Sequence, residues 1–239
     1  MSGATTPAIG SRRASARLGL TLRSVLLSPR DGFRDAMKAL DRRSAAGERP
    51  AAGYTPYVLA AIGGAAAAAL WLKVGAIAGT RDVARESYRW DFVVATLALG
   101  AAVALIAQAV WGVVGTYVVR ALGGSVRPGA LRLVWGAASL PHVVALLVLL
   151  PLDLVIVGPD ALTSERLADP LATVWSALSL SVGLALGMWS LFLVERGVET
   201  ASGLGGARAS VGVVVAIACL AAVVVGTALG LSSLAGSLA

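Results

Sequence analysis

The sequence contains few side chains that carry chemistry. Its 239 residues include one cysteine, Cys219, and one histidine, His142. A single cysteine forms no internal disulfide, and metal sites need several Cys or His ligands at set spacings. The sequence shows no nucleophile paired with a base and no phosphate-binding glycine loop between a strand and a helix. We therefore expect no enzymatic activity, cofactor or metal, with Cys219 as a small core residue.

Charged residues are also scarce. Asp, Glu, Lys and Arg make up 14% of the chain, and hydrophobic residues make up 57%. A soluble domain carries about 25% charged residues. With a mean hydropathy of +0.81, the composition excludes a soluble globular domain and is typical of a chain that lies in a lipid bilayer.

Long apolar runs, by contrast, are abundant. A helix crosses a bilayer core about 30 Å thick with about 20 apolar residues, because it rises about 1.5 Å per residue. Five runs are long enough: Pro56–Gly79, Phe92–Val119, Leu131–Val157, Leu171–Val194 and Ala209–Ser232. The sequence therefore predicts an all-α polytopic membrane protein with five transmembrane helices.

Two of these runs contain glycine pairs at GxxxG spacing, Gly183/Gly187 and Gly226/Gly230. Lipid gives helices no hydrophobic reason to associate, so small residues that allow close backbone contact do this instead. We favour packing within the bundle, with a homo-oligomer as the alternative.

The basic residues are distributed unevenly. The first 50 residues hold ten Lys or Arg against four acids. If the N-terminus is cytoplasmic, the inside segments hold fifteen Lys or Arg and the outside segments hold four, which is the bias that the positive-inside rule requires. We expect a cytoplasmic N-terminus, an external C-terminus and no cleavable signal peptide, because Arg23 interrupts the early apolar stretch. The excess of arginine over lysine, together with high alanine, suggests a bacterial plasma membrane.

The N-terminal segment divides into two parts before the membrane domain. Residues 1–16 are predicted to be a disordered basic tail, and residues 17–55 a cytoplasmic amphipathic segment and linker, followed by the five-helix domain 56–239. Ser28 and Pro29 form a helix start. Phe33, Met37 and Leu40 then recur on one face. This helix lies either in the membrane interface or against the cytoplasmic end of the bundle, and the two placements are compatible.

The basic side chains of this segment are the predicted binding residues. They would contact the phosphates of anionic phospholipids or an acidic protein partner. Nucleic acid is not an expected partner, because no basic stretch alternates with aromatics. The predicted contacts are Arg23, Arg30, Arg34, Lys38, Arg42 and Arg43.

Polar side chains inside the spans are a second set of candidates, because such groups often mark a transport path. The set is Gln108, His142 and Asp153. We expect Asp153 to be an interfacial acid and His142 to be a satisfied bundle histidine. Lys73 is expected to extend outward to the membrane surface, and Trp175 to lie at the outer interface.

Three sequence segments also occur in a familiar order. Residues 26–33 read L-L-S-P-R-D-G-F, residues 122–124 and 136–141 read L-G-G and G-A-A-S-L-P, and residues 189–197 read W-S-L-F-L-V-E-R-G. From about Leu26 to the end, the chain resembles bacterial Yip-domain proteins, the Ypt/Rab-interacting-protein-like family. The motif positions are Ser28, Pro29, Phe33, Gly123, Gly124, Gly136, Pro141, Trp189 and Gly197.

The resemblance implies five spans, a cytoplasmic N-terminus and no catalytic residues. Eukaryotic members of the family bind small GTPases of the Ypt/Rab class and act in vesicle trafficking and membrane shaping, a pathway that bacteria lack. Ala137 stands where the family commonly has tyrosine, so any partner contact that uses this tyrosine is in doubt here.

Two functions remain open at this point. The first is an integral membrane adaptor or scaffold that organises the membrane or protein partners. The alternative is a small transporter or permease subunit in which Asp153, His142 and Gln108 line a polar path. Convergence of these three side chains on one water-accessible cavity would favour transport, and separate environments would count against it.

Overall fold

A computed structural model describes residues 23–45, 55–78, 90–158 and 170–237, with side chains described for 23–42, 55–74, 91–158 and 170–222. The regular elements in these ranges are helices. The predicted tail 1–16 and most of the predicted linker lie outside the described residues. The long helices are α1 Pro29–Ala45, α2 Thr55–Ala78, α3 Trp90–Ala121, α4 Pro128–Ile156, α5 Pro170–Ser202 and α6 Gly206–Ser237.

Four of these helices are apolar and long enough to cross a membrane. They overlap the first four predicted runs, and their apolar windows lie within Thr55–Val74, Asp91–Ala121, Pro128–Ile156 and Pro170–Ser202. The all-α class is thereby confirmed for the described residues. The part of α6 with described side chains, Gly206–Ala222, is shorter than a span, so the fifth crossing stays a prediction.

Helix α4 is irregular because two prolines, Pro141 and Pro151, lie inside it. It consists of Pro128–Ala138, Leu140–Val144, a π-helical turn Ala145–Leu149 and Leu150–Ile156. Proline has no N–H group and its ring crowds the preceding turn. Ser139 forms a turn just before Pro141, and the N–H of Leu150 donates to the carbonyl of Ala145, five residues back, just before Pro151.

Glycines allow close helix contacts inside the bundle. A Cβ atom on Gly64 of α2 would collide with the carbonyl of Gly100 on α3. Gly183 lies against Leu70, and Gly187 lies beside His142. The first GxxxG pair therefore packs within the bundle, whereas the side-chain surroundings of 226 and 230 lie outside the described residues.

Helix α1 packs against the bundle through Phe33, which is fully buried. A Cβ atom on Gly197 of α5 would lie 3.1 Å from Phe33 Cζ and 2.5 Å from Val134 Cγ1, so only glycine leaves room for the ring. Met37 and Leu40 are half-buried against the same core. Of the two placements open for this helix, the structure shows packing on the bundle, and contact with lipid stays a prediction.

One end of the bundle collects α1 and two connections, and we call it the basic end. The N–H of Ser125, between α3 and α4, donates to the carbonyl of Ser202 at 3.3 Å. Arg30 of α1 pairs with Glu199 at 2.9 Å. These are the segments that the charge count assigns to a single side of the membrane.

The larger core cluster includes Phe33 and Val198, so it reaches the basic end. A smaller cluster contains the buried residues Leu72 and Val93. Many other large apolar side chains face outward, as lipid contact requires; Val155, for example, is 81% exposed. Cys219 is exposed on α6 as well, so its prediction as a core residue was wrong.

Candidate functional site

Three of the predicted basic residues meet beside the end of α5. Arg30, Arg34 and Lys38 are spaced about one helical turn apart, so they share one face of α1. They line a groove of about 480 Å³ that we call the basic groove. Its other lining residues are Met37, Asp41, Glu199, Thr200, Gly203 and Leu204.

Ion pairs neutralise part of this groove. Glu199 accepts hydrogen bonds from Arg30 at 2.9 Å and from Arg196 at 2.8 Å. Arg34 bonds to Asp31 at 3.1 Å, and both side chains are mostly exposed. Lys38 is exposed as well. The groove thus keeps basic groups that solvent, or an anionic ligand, can reach.

Glu199 lies beyond the apolar run Leu171–Val194, at the basic end of α5. The hydrogen bond from Arg196 lowers the pKa of Glu199 below its ordinary value, and the charge of Arg30 adds to this effect, while partial burial opposes it. Glu199 is therefore a carboxylate at neutral pH. It holds Arg30 at the junction between α1 and α5.

A second depression adjoins the first. It has a volume of about 340 Å³, and Arg30 lines both. The Arg196 guanidinium lies over the ring of Phe192, 4.9 Å from its centroid, at the wall of this depression. Arginine over an aromatic face is a stable arrangement that keeps the cation accessible.

Two further predicted basic residues with described side chains, Arg23 and Arg42, do not line the basic groove. Arg23 and Arg42 are exposed. The Nε atom of Arg42 donates to the carbonyl of Lys38 at 3.2 Å, which directs it back along the helix. The side chain of Arg43 lies outside the described residues. The structure therefore brings together three of the six predicted contacts.

The motif positions of the resemblance occupy packing and turn sites. Phe33 rests on Gly197, and a Cβ atom on Gly136 would collide with the carbonyl of Pro56. Gly123 has a φ of +85°, which favours glycine. The remaining positions are Ser28 and Pro29 at the start of α1, Gly124 against Leu204, the buried Pro141 and the exposed Trp189.

Asp153 forms a buried ion pair inside the bundle. It is 1% exposed and contacts the Lys73 ammonium through Oδ2. Its Oδ1 accepts a hydrogen bond from Trp175 Nε1 at 3.0 Å, and Lys73 Nζ donates to Ser179 Oγ at 2.7 Å. The pair therefore joins α2, α4 and α5.

This pair corrects two expectations. Asp153 is not an exposed interfacial acid, and Lys73, which is buried, does not extend to the membrane surface. The physical reason is mutual neutralisation, because two opposite charges in contact avoid much of the cost of leaving water singly.

A small cavity lies beside this pair, with a volume of about 30 Å³. Lys73, Asp153 and Ser179 line it together with His142. We call these residues and Trp175 the intramembrane site. The other lining residues are Ala66, Ala69, Leu70, Ala145, Leu146, Leu149, Leu150 and Gly183.

Gln108 is not part of this site. Its Nε2 donates to the carbonyls of Arg132 at 2.8 Å and Pro56 at 3.2 Å, near the starts of α4 and α2. Gln108 is fully buried, and its Oε1 has no hydrogen-bond partner among the described residues. Two of the three polar candidates thus share a cavity, and the third lies in a separate environment.

Sequence reasoning missed part of the intramembrane site. Lys73 was visible as a lone charge in an apolar run, which is a usable signal. Ser179 and Trp175 carry no such signal, because serine and tryptophan are common in membrane helices and only the fold places them beside Asp153.

The described residues contain no group of three or more His, Cys, Asp or Glu side chains that could hold a metal ion. In comparisons with known proteins, no family model, curated protein or solved structure matches this chain.

Proposed function

We propose that this chain is a non-enzymatic integral membrane adaptor or scaffold whose basic groove binds the phosphate groups of anionic phospholipids. The observation that carries the proposal is the convergence of Arg30, Arg34 and Lys38 on one groove at the end of the bundle. Each basic side chain near an anionic surface contributes about 1 kcal/mol of attraction. A protein partner with an acidic surface would use the same groups.

The proposal includes a location and an orientation. The basic end faces the cytoplasm of a bacterial plasma membrane, α6 is the fifth span and the C-terminus lies outside. The support is the charge bias, because the segments gathered at the basic end hold most of the Lys and Arg residues.

The similarity to Yip-domain proteins is part of the same proposal. It is supported by the contact between Phe33 and Gly197, two motif positions that are far apart in the sequence. Packing roles for the motif suit a scaffold, since a rigid bundle that presents a basic end needs no reactive residue.

Lipid titration of the full-length protein tests the groove. Native mass spectrometry would count phosphatidylglycerol and phosphatidylcholine molecules retained by the wild type and by the double variant Arg34→Gln/Lys38→Gln. Two lost cations correspond to about 2 kcal/mol, or roughly thirtyfold weaker binding of the anionic lipid, with no change for the neutral one.

The matched control is Arg120→Gln/Arg208→Gln, which removes two exposed charges outside the groove. We expect it to change phosphatidylglycerol binding much less. If both double variants lose phosphatidylglycerol binding equally, the lipid responds to general surface charge and not to the groove, and the proposal is refuted. If the wild type instead binds an acidic protein equally well with and without phosphatidylglycerol, the groove is a site for a protein partner.

A transporter remains the second candidate. It is favoured by the shared cavity of Asp153 and His142. The separate environment of Gln108 counts against the continuous polar path that a transporter would need. Solute flux into proteoliposomes that depends on Asp153 and not on Arg34 or Lys38 would favour this candidate over the adaptor.

A further inference from the structure

The intramembrane site combines groups that the adaptor function does not use. A carboxylate, an ammonium, an imidazole and a hydroxyl line one cavity of about 30 Å³. One water molecule needs roughly 10–15 Å³ on this scale and two or more polar partners. The cavity therefore has the size and the lining to hold water beside Asp153.

The chemistry of the lining selects one class of ligand. Hard metal cations take several oxygen ligands, whereas the side-chain oxygens that line this cavity in the described residues belong to Asp153 and Ser179. The Lys73 ammonium already occupies the cation position at Oδ2 of Asp153. A proton needs only one carboxylate oxygen, so it is the cation that this site can accept.

We propose that the intramembrane site is a proton-exchange site, in which Asp153 takes up a proton in place of its contact with Lys73 and His142 passes that proton through the cavity. The proton bonds to Oδ2, because Oδ1 holds the hydrogen bond from Trp175. Asp153 becomes a neutral carboxylic acid, and Lys73 stays an ammonium that donates to Ser179 and to water in the cavity, so the site carries one positive charge while the proton is bound. Release of the proton restores the ion pair, and no electrons are transferred.

His142 lies eleven residues before Asp153 on α4, about 16 Å along the helix axis, so a proton passes between them only through water in the cavity. Its Nε2 points toward α5, 3.9 Å from where a Cβ atom on Gly187 would lie, and its ring lines the cavity. Imidazole accepts a proton on one nitrogen and returns it to water, ending in the neutral form. His142 thus begins and ends uncharged while a proton passes.

The charges that act on Asp153 come from few directions. Within the described residues, Lys73 from α2 and His142 from α4 are the ionisable side chains that line the cavity with it. Helix α5 contributes the neutral groups Ser179 and Trp175. Helix α3 reaches this end of α4 with the apolar side chains Val93 and Leu97, and the exposed carboxylate of Asp91 lies in the first turn of the same helix.

Infrared difference spectroscopy of the full-length protein in lipid nanodiscs tests the proposal. Spectra at neutral and mildly acidic pH should differ by a carboxylic-acid carbonyl band that the Asp153→Asn variant lacks. In Lys73→Gln the same band should appear at higher pH than in the wild type, because the removed positive charge no longer favours the carboxylate.

Absence of an Asp153 band in the wild type, or a band that Lys73→Gln leaves at the same pH, would overturn the proposal. If the Lys73→Gln variant does not fold, the wild type minus Asp153→Asn spectrum still decides whether Asp153 takes up a proton. These variants leave the basic groove intact, so this result is independent of the lipid titration.

The relay has its own readout. After a pH jump, His142→Gln should slow the growth of the Asp153 band about a hundredfold, a typical loss when a positioned proton carrier is removed. The final amplitude of the band should stay the same. An unchanged rate would remove His142 from the proposal, and a lost amplitude would show that His142 only supports the fold.

Discussion

The basic end and the intramembrane site both contain ion pairs, but their solvents differ. At the basic end, the Arg34 and Asp31 side chains are 60% and 70% exposed. In the intramembrane site, the Lys73 and Asp153 side chains are 9% and 1% exposed. Exposed pairs contribute about 0–1 kcal/mol, whereas removing one partner of a buried pair costs about 3–5 kcal/mol.

The comparison shows that exposed ion pairs leave their charges available to ligands, whereas the buried ion pair mainly stabilises the fold. The ion pairs at the basic end are weak, so an arginine there can leave the carboxylate it pairs with in this chain and bind a lipid phosphate instead. The buried pair separates less readily, because separation leaves one charge without its partner, and only a small ligand fits beside it. The exposed groups match the proposed binding of large anions at one end of the molecule, and the buried groups match the proposed binding of a proton in its interior.

The largest expected effect comes from breaking the buried pair on one side. Lys73→Met leaves Asp153 buried without its counter-charge and should lower the free energy of unfolding by about 3–5 kcal/mol. The double variant Lys73→Met/Asp153→Leu should recover most of this loss. Reversible unfolding in detergent micelles measures both, and equal stability of the single and double variants would contradict the cost assigned to the unpaired charge.

The next effect concerns the basic end and involves no charge. Phe33→Ala empties the space over Gly197 and should weaken the packing of α1 by about 3 kcal/mol. Amide hydrogen exchange along α1 would report this as faster exchange confined to that helix. The control is Leu27→Ala, because Leu27 is 71% exposed and should leave the exchange unchanged.

A smaller effect is expected at the second oxygen of Asp153. Trp175→Phe keeps the aromatic packing and removes the hydrogen bond to Oδ1. Hydrogen bonds to charged groups contribute about 1.5–3 kcal/mol. Unfolding measurements should show a loss in this range, and a larger loss in Lys73→Met than in Trp175→Phe would rank the two partners of Asp153.

The smallest effect is the acid response of the basic end. The pKa of Glu199 is lowered from 4.5, so its carboxylate contributes to the stability of the folded state. This stabilisation is fully present above pH 4.5 and is lost as the pH falls through the lower pKa of the folded state. We expect α1 to exchange amide hydrogens faster in this acidic range. In Glu199→Gln that pH dependence should disappear, and its persistence would assign the response to another group.

Periodicity and length predicted much of the architecture. Apolar runs long enough to span a bilayer correspond to α2, α3, α4 and α5 because hydrocarbon imposes one local rule on every residue. Pro29 marked the start of α1 for a similarly local reason, its fixed φ angle.

The sites were predicted only in part, because they depend on contacts between distant residues. Nothing near Lys73 in the sequence indicates that Asp153 will lie beside it. Taken alone, each of the two charged residues predicts a side chain at the membrane surface. Glu199 likewise gains its role only where α1 crosses α5. Gln108 could be identified as polar and internal, but its two carbonyl acceptors are set by where α2 and α4 begin.

The π-helical turn Ala145–Leu149 sets the rotational phase of everything after it in α4. Each residue of an α-helix turns the chain by about 100°, and the wide turn takes up one extra residue without adding that rotation. Wound as a regular α-helix, the same residues would point the carboxylate of Asp153 away from its ammonium partner, whereas deleting one residue from the turn should make it regular and keep the pair. The direction of the Asp153 side chain thus depends on one extra residue in a single helical turn.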